Sequence, residues 1–170
     1  MEMRRILACV LLLHVGLGLA ATRDVDHYFF NQTFGDLKSE LATAKAEGKT
    51  GVLLMYEQAE CPFCAFMKRN VLNQSAVQDY YRKHFLIFSM DIRGSNPITD
   101  FSGKETTERM FSRRNRARAT PTFVFYDLRG HEMARFTGVT KNAHEFLLLG
   151  RYVVDGGYKK EPFTRYKQGK

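Results

Sequence analysis

The chain has 170 residues, of which 44% are hydrophobic and 26% charged, and it carries a formal net charge of +8. This length and composition predict one globular domain with an apolar core, and they exclude a disordered or fibrous chain. Three cysteines are too few for a fold that depends on several disulfides.

The N-terminus has the pattern of a secretory signal peptide. Two arginines precede an almost wholly apolar run, and small residues follow near Ala20. We therefore expect residues 1–20 to be cleaved near Ala20 and the rest of the chain to be exported. An uncleaved membrane anchor and lipoprotein processing at Cys9 are the alternatives. Cleavage would leave two cysteines, Cys61 and Cys64, with no third thiol to compete with them.

The first part of the expected domain, 21–157, alternates helix and strand patterns. The short segment 22–33, which is aromatic at 27–30, predicts an extra strand or an edge segment. Apolar residues at helical spacing predict a helix over 34–48 that begins at Phe34. The continuous apolar run at 52–56 is typical of a strand in a sheet that is covered on both faces.

A helix is expected to begin at Cys61-Pro62-Phe63-Cys64, because proline is tolerated in a first helical turn. A second helix over 76–84, capped by Ser75, then leads to a second buried strand over 85–90. Glycines and Pro97 mark residues 92–105 as turns, with a short hairpin arm at 98–101.

In the second half of the chain, we expect a helix capped by Thr106 or Thr107, followed by strands over 122–127 and 132–136 that are joined by a turn at Gly130. A last helix capped by Asn142 and a basic C-terminal tail over 158–170 follow them. The connections that contain helices predict parallel central strands, and the Gly130 turn predicts an antiparallel edge.

Cys61 and Cys64 are spaced so that they can alternate between a dithiol and a disulfide. We expect Cys61, exposed at a helix N-terminus, to be the nucleophile, because the helix dipole favours its thiolate. Cys64, one turn later and more buried, is the expected resolving thiol. Phe63 is expected to be exposed as a docking contact for a substrate, and Phe66 to lie in the core.

A structural disulfide without turnover and a metal site are the alternatives for this pair. Two thiolates supply half of a tetrahedral set of ligands, but the histidines at 84, 131 and 144 have no ligand-like spacing to the motif. We therefore expect no metal and no cofactor.

The order of these elements resembles that of the thioredoxin superfamily over about residues 34–155. The strand at 52–56, the Cys61-Pro62-Phe63-Cys64 motif and the Thr120-Pro121 step with its following hairpin carry the resemblance. Within the superfamily, the chain is similar to exported, single-domain bacterial thioredoxins of the SoxW type. The resemblance implies a thioredoxin fold, an α/β domain whose central mixed sheet is flanked by helices on both faces.

The resemblance also implies further site residues. A cis peptide bond before Pro121 would hold Thr120 in an extended conformation beside the sulfurs, where a substrate chain pairs with Thr120. An ordinary trans-proline that opens a strand is the alternative. Thioredoxins carry a buried aspartate six residues before the first cysteine, where this chain has Met55. Glu57 or Glu60 is a hypothetical substitute for that proton acceptor.

The sequence therefore predicts a monomeric periplasmic thiol-disulfide oxidoreductase that exchanges electrons with protein disulfides or dithiols. The resemblance implies a membrane-bound thiol electron donor, and a nucleic-acid partner is not expected. The arginine-rich run 113–118 is either a helix C-terminus suited to the dipole or a positive field near the sulfurs. A non-catalytic binding module, a metallochaperone and a disulfide isomerase are the alternative functions.

Overall fold

A computed structural model describes residues 21–170 of the chain. The expected signal peptide, 1–20, and Cys9 lie outside the described residues. Among the residues that are described, no helix has the length and apolar character needed to cross a membrane.

The described residues form seven α-helices and six β-strands: α1 (Val25–Tyr28), α2 (Leu37–Ala46), β1 (Gly51–Glu57), α3 (Pro62–Met67), α4 (Ser75–His84), β2 (Phe85–Asp91), β3 (Pro97–Thr99), β4 (Glu105–Thr107), α5 (Glu108–Arg114), β5 (Thr122–Tyr126), β6 (Glu132–Thr137), α6 (Ala143–Val154) and α7 (Phe163–Tyr166). A π-helical turn, Lys68–Leu72, continues α3 directly, and short 3₁₀ turns flank α7.

Four strands form the central sheet, in the order β2-β1-β5-β6, and β3 pairs with β4 in a separate arm. β1 and β2 are parallel, whereas β5 is antiparallel to both of its neighbours. The prediction of parallel central strands is therefore correct for β1 and β2 and wrong for β5. The seven-residue α5 is about 10 Å long. Because it does not carry the chain back across the sheet, β5 begins at the edge where β1 and β2 end.

The sheet is covered by helices on both faces, as predicted. Side chains such as Leu53, Ile87 and Phe123 pack into one core with α3, α4 and α6. Alternate residues of the same strands pack into a second core with α2 and α5. The continuous apolar strands β1 and β5 are buried along almost their whole length because both of their faces contact helices.

The segment before β1 differs from its prediction. His27 and Tyr28 lie in the short helix α1, in which the Asp24 side chain accepts a hydrogen bond from the His27 backbone N–H, and Phe29 and Phe30 follow the end of that helix. The helix expected over 34–48 begins only at Leu37, where the Asp36 side chain caps it. Phe34 consequently lies outside the helix and is fully exposed.

The predicted caps of the later helices are mostly confirmed. Thr107 accepts a hydrogen bond from the backbone N–H of Met110, and Asn142 accepts one from that of Glu145. Ser75 is instead the first residue of α4, and the preceding residue, Gln74, makes no side-chain cap.

The C-terminal tail, 158–170, folds back onto the domain. The Phe163 ring of α7 lies 5.4 Å from the Tyr152 ring of α6. Lys167 Nζ also donates a 2.7 Å hydrogen bond to Glu145 Oε1. The tail is therefore packed against α6 in addition to being basic.

Candidate active site

The two cysteines lie at the sheet edge where β1 ends. Cys61 is the N-cap of α3, and its Sγ accepts a 3.0 Å hydrogen bond from the backbone N–H of Cys64. Pro62 occupies the first helical position, where its missing N–H leaves no hydrogen bond unmade. Cys61 and Cys64 form a disulfide, with their Cα atoms 5.2 Å apart. The predicted pair is thus present in its oxidised state.

The exposure of the motif differs in part from its prediction. Cys64 is 2% exposed, and Cys61 is only 6% exposed, so the expectation of an exposed Cys61 is wrong for the disulfide state. Phe63 is 60% exposed, as predicted, whereas Phe66 is 38% exposed and lies outside the core. Phe63 and Phe66 are three residues apart on one helix and therefore share the face that points to solvent.

The strand register places Thr120 and Pro121 just beyond the end of β1, the strand that leads into the cysteine motif. Thr122 of β5 is opposite Tyr56 of β1 in an antiparallel pair. The two residues before Thr122 therefore extend past the residue of β1 that pairs with it, Tyr56. The Thr120–Pro121 peptide bond is cis, and the Pro121 carbonyl accepts a 2.9 Å hydrogen bond from the Gly138 N–H.

A polar cavity of about 370 Å³ opens beside the disulfide. Its lining includes both cysteines and the charged side chains of Glu57, Lys68, Asp91 and Glu108. Glu57 Oε1 accepts a 2.9 Å hydrogen bond from Lys68 Nζ and another from the Ser89 hydroxyl. Three carboxylates and one ammonium group therefore make the cavity acidic, although the whole chain is basic.

Three of these charged residues, Lys68, Asp91 and Glu108, were not predicted from the sequence as site residues. Lys68 lies four residues after Cys64, a spacing that places two helical residues on one face and was a signal available in the sequence. Glu108 lines the cavity from the first turn of α5. An acidic residue in a first helical turn does not by itself predict that its side chain lines a cavity. Burial and the neighbouring charge of Asp91 raise the pKa of Glu108, against the opposing hydrogen bond from the Asp91 N–H.

The remaining candidate residues from the sequence do not line the disulfide cavity. Glu60 is exposed and is not among the residues that line the cavity. Arg114 and Arg116 line a separate groove with Glu132 and Arg135, so the positive group that lines the disulfide cavity is Lys68. Within residues 21–170, no three His, Cys, Asp or Glu side chains are grouped in a way that suits a metal ion. Met55, which stands at the thioredoxin aspartate position, is fully buried.

Comparisons with known proteins agree on the fold. Residues 37–153 match the protein family described as a thioredoxin-like domain. A thioredoxin-fold protein from Helicobacter pylori is similar in structure with a TM-score of 0.65, at 17% identity over 86% of this chain and 93% of that chain. The DsbH oxidoreductase gives a TM-score of 0.58, at 17% identity over 82% and 94%.

A thioredoxin from Thermus thermophilus is 30% identical over 72% of this chain and 88% of that chain, with a TM-score of 0.54. The chain has no match among curated proteins. The two matches at 17% identity concern the fold alone, and together with the family match they identify it as the thioredoxin fold.

Proposed function

The chain belongs to the thioredoxin-like domain family, and from this membership we propose that it is an exported thiol-disulfide oxidoreductase. The observation that carries the proposal is the Cys61–Cys64 disulfide, with Cys61 at the N-cap of α3 and a hydrogen bond from the Cys64 N–H to its sulfur. A backbone donor and a helix N-terminus both favour a thiolate at Cys61, and the thiolate is the attacking species in disulfide exchange.

In the reducing direction, the Cys61 thiolate attacks one sulfur of a client disulfide. A bond forms between Cys61 and the client, the client S–S bond breaks, and the second client sulfur leaves as a thiolate that takes a proton. The Cys64 thiol then loses its proton and attacks Cys61 Sγ, which restores the protein disulfide and releases the client thiol. Two electrons pass to the client, and the reverse sequence oxidises a client dithiol.

Glu57 is the proposed acceptor of the Cys64 proton. Its carboxylate lines the same cavity as Cys64, and Lys68 and Ser89 hold it in place by hydrogen bonds. A polar cavity of about 370 Å³ has room for water, which can relay a proton between the two groups. Glu60 has no comparable position, because it is exposed outside the cavity.

Thr120, Pro121 and Phe63 are the proposed client contacts. Pro121 directs Thr120 along the end of β1, where the backbone of Thr120 can pair with a client chain. Phe63 lies between the two cysteines in sequence and exposes 60% of its surface. An exposed aromatic ring beside a reactive sulfur is well suited to bind apolar client side chains.

The cellular context follows the resemblance to SoxW-type thioredoxins. We propose a periplasmic monomer made of a cleaved signal peptide (1–20), a thioredoxin-like domain (21–157) and a basic tail (158–170). A membrane thiol donor would restore the dithiol after each turnover. Protein disulfides or dithiols are the partners, without nucleic acid or a cofactor.

Reduction of insulin by dithiothreitol tests the proposal. The wild-type protein should accelerate the reaction, and Cys61→Ser should abolish the acceleration, because the attacking thiolate is lost. Equal rates for the two proteins would instead indicate a binding module without turnover. The reduction potential of the Cys61–Cys64 pair, measured against glutathione, would give the direction of electron flow.

A further inference from the structure

Within residues 21–170, the β2 edge of the central sheet is open at Ser89. β2 is an edge strand, and the backbone groups of its alternate residues point away from β1. Ile87 uses these outward groups to bind Asn31, through hydrogen bonds of 2.7 Å and 2.9 Å. The N–H of Asp91 binds Glu108. Between them, the N–H and C=O of Ser89 have no hydrogen-bond partner among the described residues.

Cavities lie on both sides of this open position. Ser89 and Glu108 line the disulfide cavity and also a second cavity of about 270 Å³. The second cavity is more apolar and includes Phe34, Met90 and Ile98. Successive side chains of an extended strand point to opposite faces. An extended peptide paired with Ser89 would therefore place neighbouring side chains in the two cavities.

The strand order places the β2 edge on the side of β1 that is opposite to β5. β1 leads into the cysteine motif, and its neighbours in the sheet are β5 on one side and β2 on the other. A client disulfide joins two chain segments. Thr120, which precedes β5, is the proposed contact of one segment. Ser89 of β2 offers a second pair of backbone groups on the opposite side of the motif.

We propose that the second segment of a client disulfide docks in an extended conformation on the edge of β2 and pairs its backbone with Ser89. One of its apolar side chains occupies the cavity that Phe34 lines. The surface is continuous with the disulfide cavity, and the inference rests on the proposed oxidoreductase function. Addition of a strand to an open edge, with pockets for alternate side chains, is an established mode of peptide recognition.

The charges of the cavity define the chemistry of this segment. Glu57, Asp91 and Glu108 line the disulfide cavity, and Lys68 is the cation beside them. Acidic side chains in the docking segment would meet like charges at close range. The docking segment is therefore neutral or basic, with apolar residues next to its cysteine.

A pair of variants at Ser89 tests the docking surface. Ser89→Pro removes the outward N–H but leaves the pairing with β1 unaffected, since an edge strand tolerates proline where its N–H faces outward. Ser89→Ala keeps the N–H and is the matched control, because both variants lose the hydroxyl that binds Glu57. Any effect of the hydroxyl on the disulfide chemistry therefore appears in both variants.

Each pre-reduced protein is mixed with the symmetric disulfide of the peptide Thr-Val-Cys-Val-Thr or with glutathione disulfide, and second-order rate constants are measured. The ratio of peptide to glutathione rates should be about fivefold to tenfold lower for Ser89→Pro than for Ser89→Ala, as expected for one lost backbone hydrogen bond. A peptide with aspartates in place of the valines should also react more slowly with the wild-type protein.

Amide hydrogen exchange of the wild-type oxidised protein needs no variant. The peptide Thr-Val-Ser-Val-Thr in excess should slow exchange at Ser89, with little change at Ile87, whose N–H is already bonded. Equal rate ratios for the two variants, or unchanged exchange at Ser89, would overturn the inference. A dimer that Ser89→Pro dissociates would also overturn it, because a second copy would then cover the edge. A wild-type protein that fails to reduce even glutathione disulfide would overturn the proposed function as well.

Discussion

The ammonium group of Lys68 donates a 2.9 Å hydrogen bond to the carboxylate of Glu57 and so connects the helix of the cysteine motif to the end of β1. Lys68 lies one helical turn after Cys64, and Glu57 lies four residues before Cys61. The ion pair lines the same cavity as Cys64, so the proposed proton acceptor and a positive charge share that cavity with the proposed resolving thiol.

Glu57→Gln should slow the attack of Cys64 on the mixed disulfide about tenfold to a hundredfold near neutral pH, at the lower end of general-base effects. The loss should shrink at high pH, where Cys64 is already a thiolate and needs no acceptor. Acid-quenched single turnovers against pH measure the lifetime of the mixed disulfide. Glu60→Gln is the matched control and should leave that lifetime unchanged. Equal behaviour of the two variants would exclude Glu57 as the acceptor.

Cys64→Ser should accumulate mixed disulfides with clients, because Cys61 can attack but no thiol can resolve the product. In the exporting host, the variant should shift client proteins to higher bands on non-reducing gels. Cys61→Ser should trap few clients. Equal trapping by both variants would mean that the two cysteines do not divide the roles as proposed.

In the reduced protein, the Cys61 thiol should titrate below the value of about 8.5 that is typical of free cysteine. The reason is its N-cap position, where the Cys64 N–H and the helix dipole stabilise negative charge. The ultraviolet absorbance of the thiolate, recorded against pH in the Cys64→Ser variant, measures the pKa of Cys61. Titration in urea provides the control. The same pKa in the folded and unfolded protein would contradict the prediction.

Phe63→Ala should reduce the rate of exchange with protein disulfides about threefold to tenfold, since an exposed aromatic contact is lost. Stability should change by less than about 0.5 kcal/mol, as for other surface substitutions. Phe66→Ala provides a matched control, because Phe66 lies on the same helix face and is less exposed. Rates with insulin and with glutathione disulfide separate docking from chemistry. A client rate equal to that of wild type would remove Phe63 from the proposed contacts.

Asp100 organises the arm beside the second cavity, and its substitution should show a pH-dependent cost. Burial opposes its ionisation, but hydrogen bonds from Ser102 and Lys104 and the charge of Arg114 outweigh burial and lower the pKa of Asp100. The lowered pKa stabilises the fold above the unfolded value of about 3.9. This contribution disappears as the pH falls through the folded value.

Asp100→Asn should therefore lower the free energy of unfolding by about 1–3 kcal/mol at neutral pH, the cost of weakened buried hydrogen bonds. The difference from wild type should decrease as the pH falls below about 4. Urea denaturation at several pH values measures it, with Asp155→Asn on the exposed end of α6 as control. A difference that stays constant across this pH range would contradict the assigned ionisation.

Several features of the fold were predictable because they depend on neighbours in sequence. The apolar run at 52–56 predicts a buried strand, since its side chains have no polar face to present to water. The spacing of Cys61 and Cys64 after a strand places both sulfurs at one helix N-terminus. Asn142 and Thr107 predict helix starts because a short polar side chain at that position accepts a hydrogen bond from a backbone N–H.

Apolar spacing along the sequence did not predict the exposure of Phe34 and Phe66. Phe34 continues the apolar spacing of α2, yet Asp36 caps the helix at Leu37 and leaves the ring in solvent. The apolar period at Phe66 likewise indicated a core position, but within residues 21–170 its side chain stays exposed. In both cases, burial of the ring depended on whether another element packs against that position. A periodic pattern in the sequence carries no information about such packing.

The sequence by itself determined the four strands of the central sheet, the capped starts of α5 and α6 and the cysteine pair, because hydrophobic periodicity and capping act over a few residues. Only the tertiary structure decided the direction of β5 and the composition of the disulfide cavity. Glu57, Ser89 and Glu108 come from three separate elements and meet there through the packing of α3 and α5 around the sheet edge. Such a meeting depends on long-range packing between distant segments, and no local spacing encodes it.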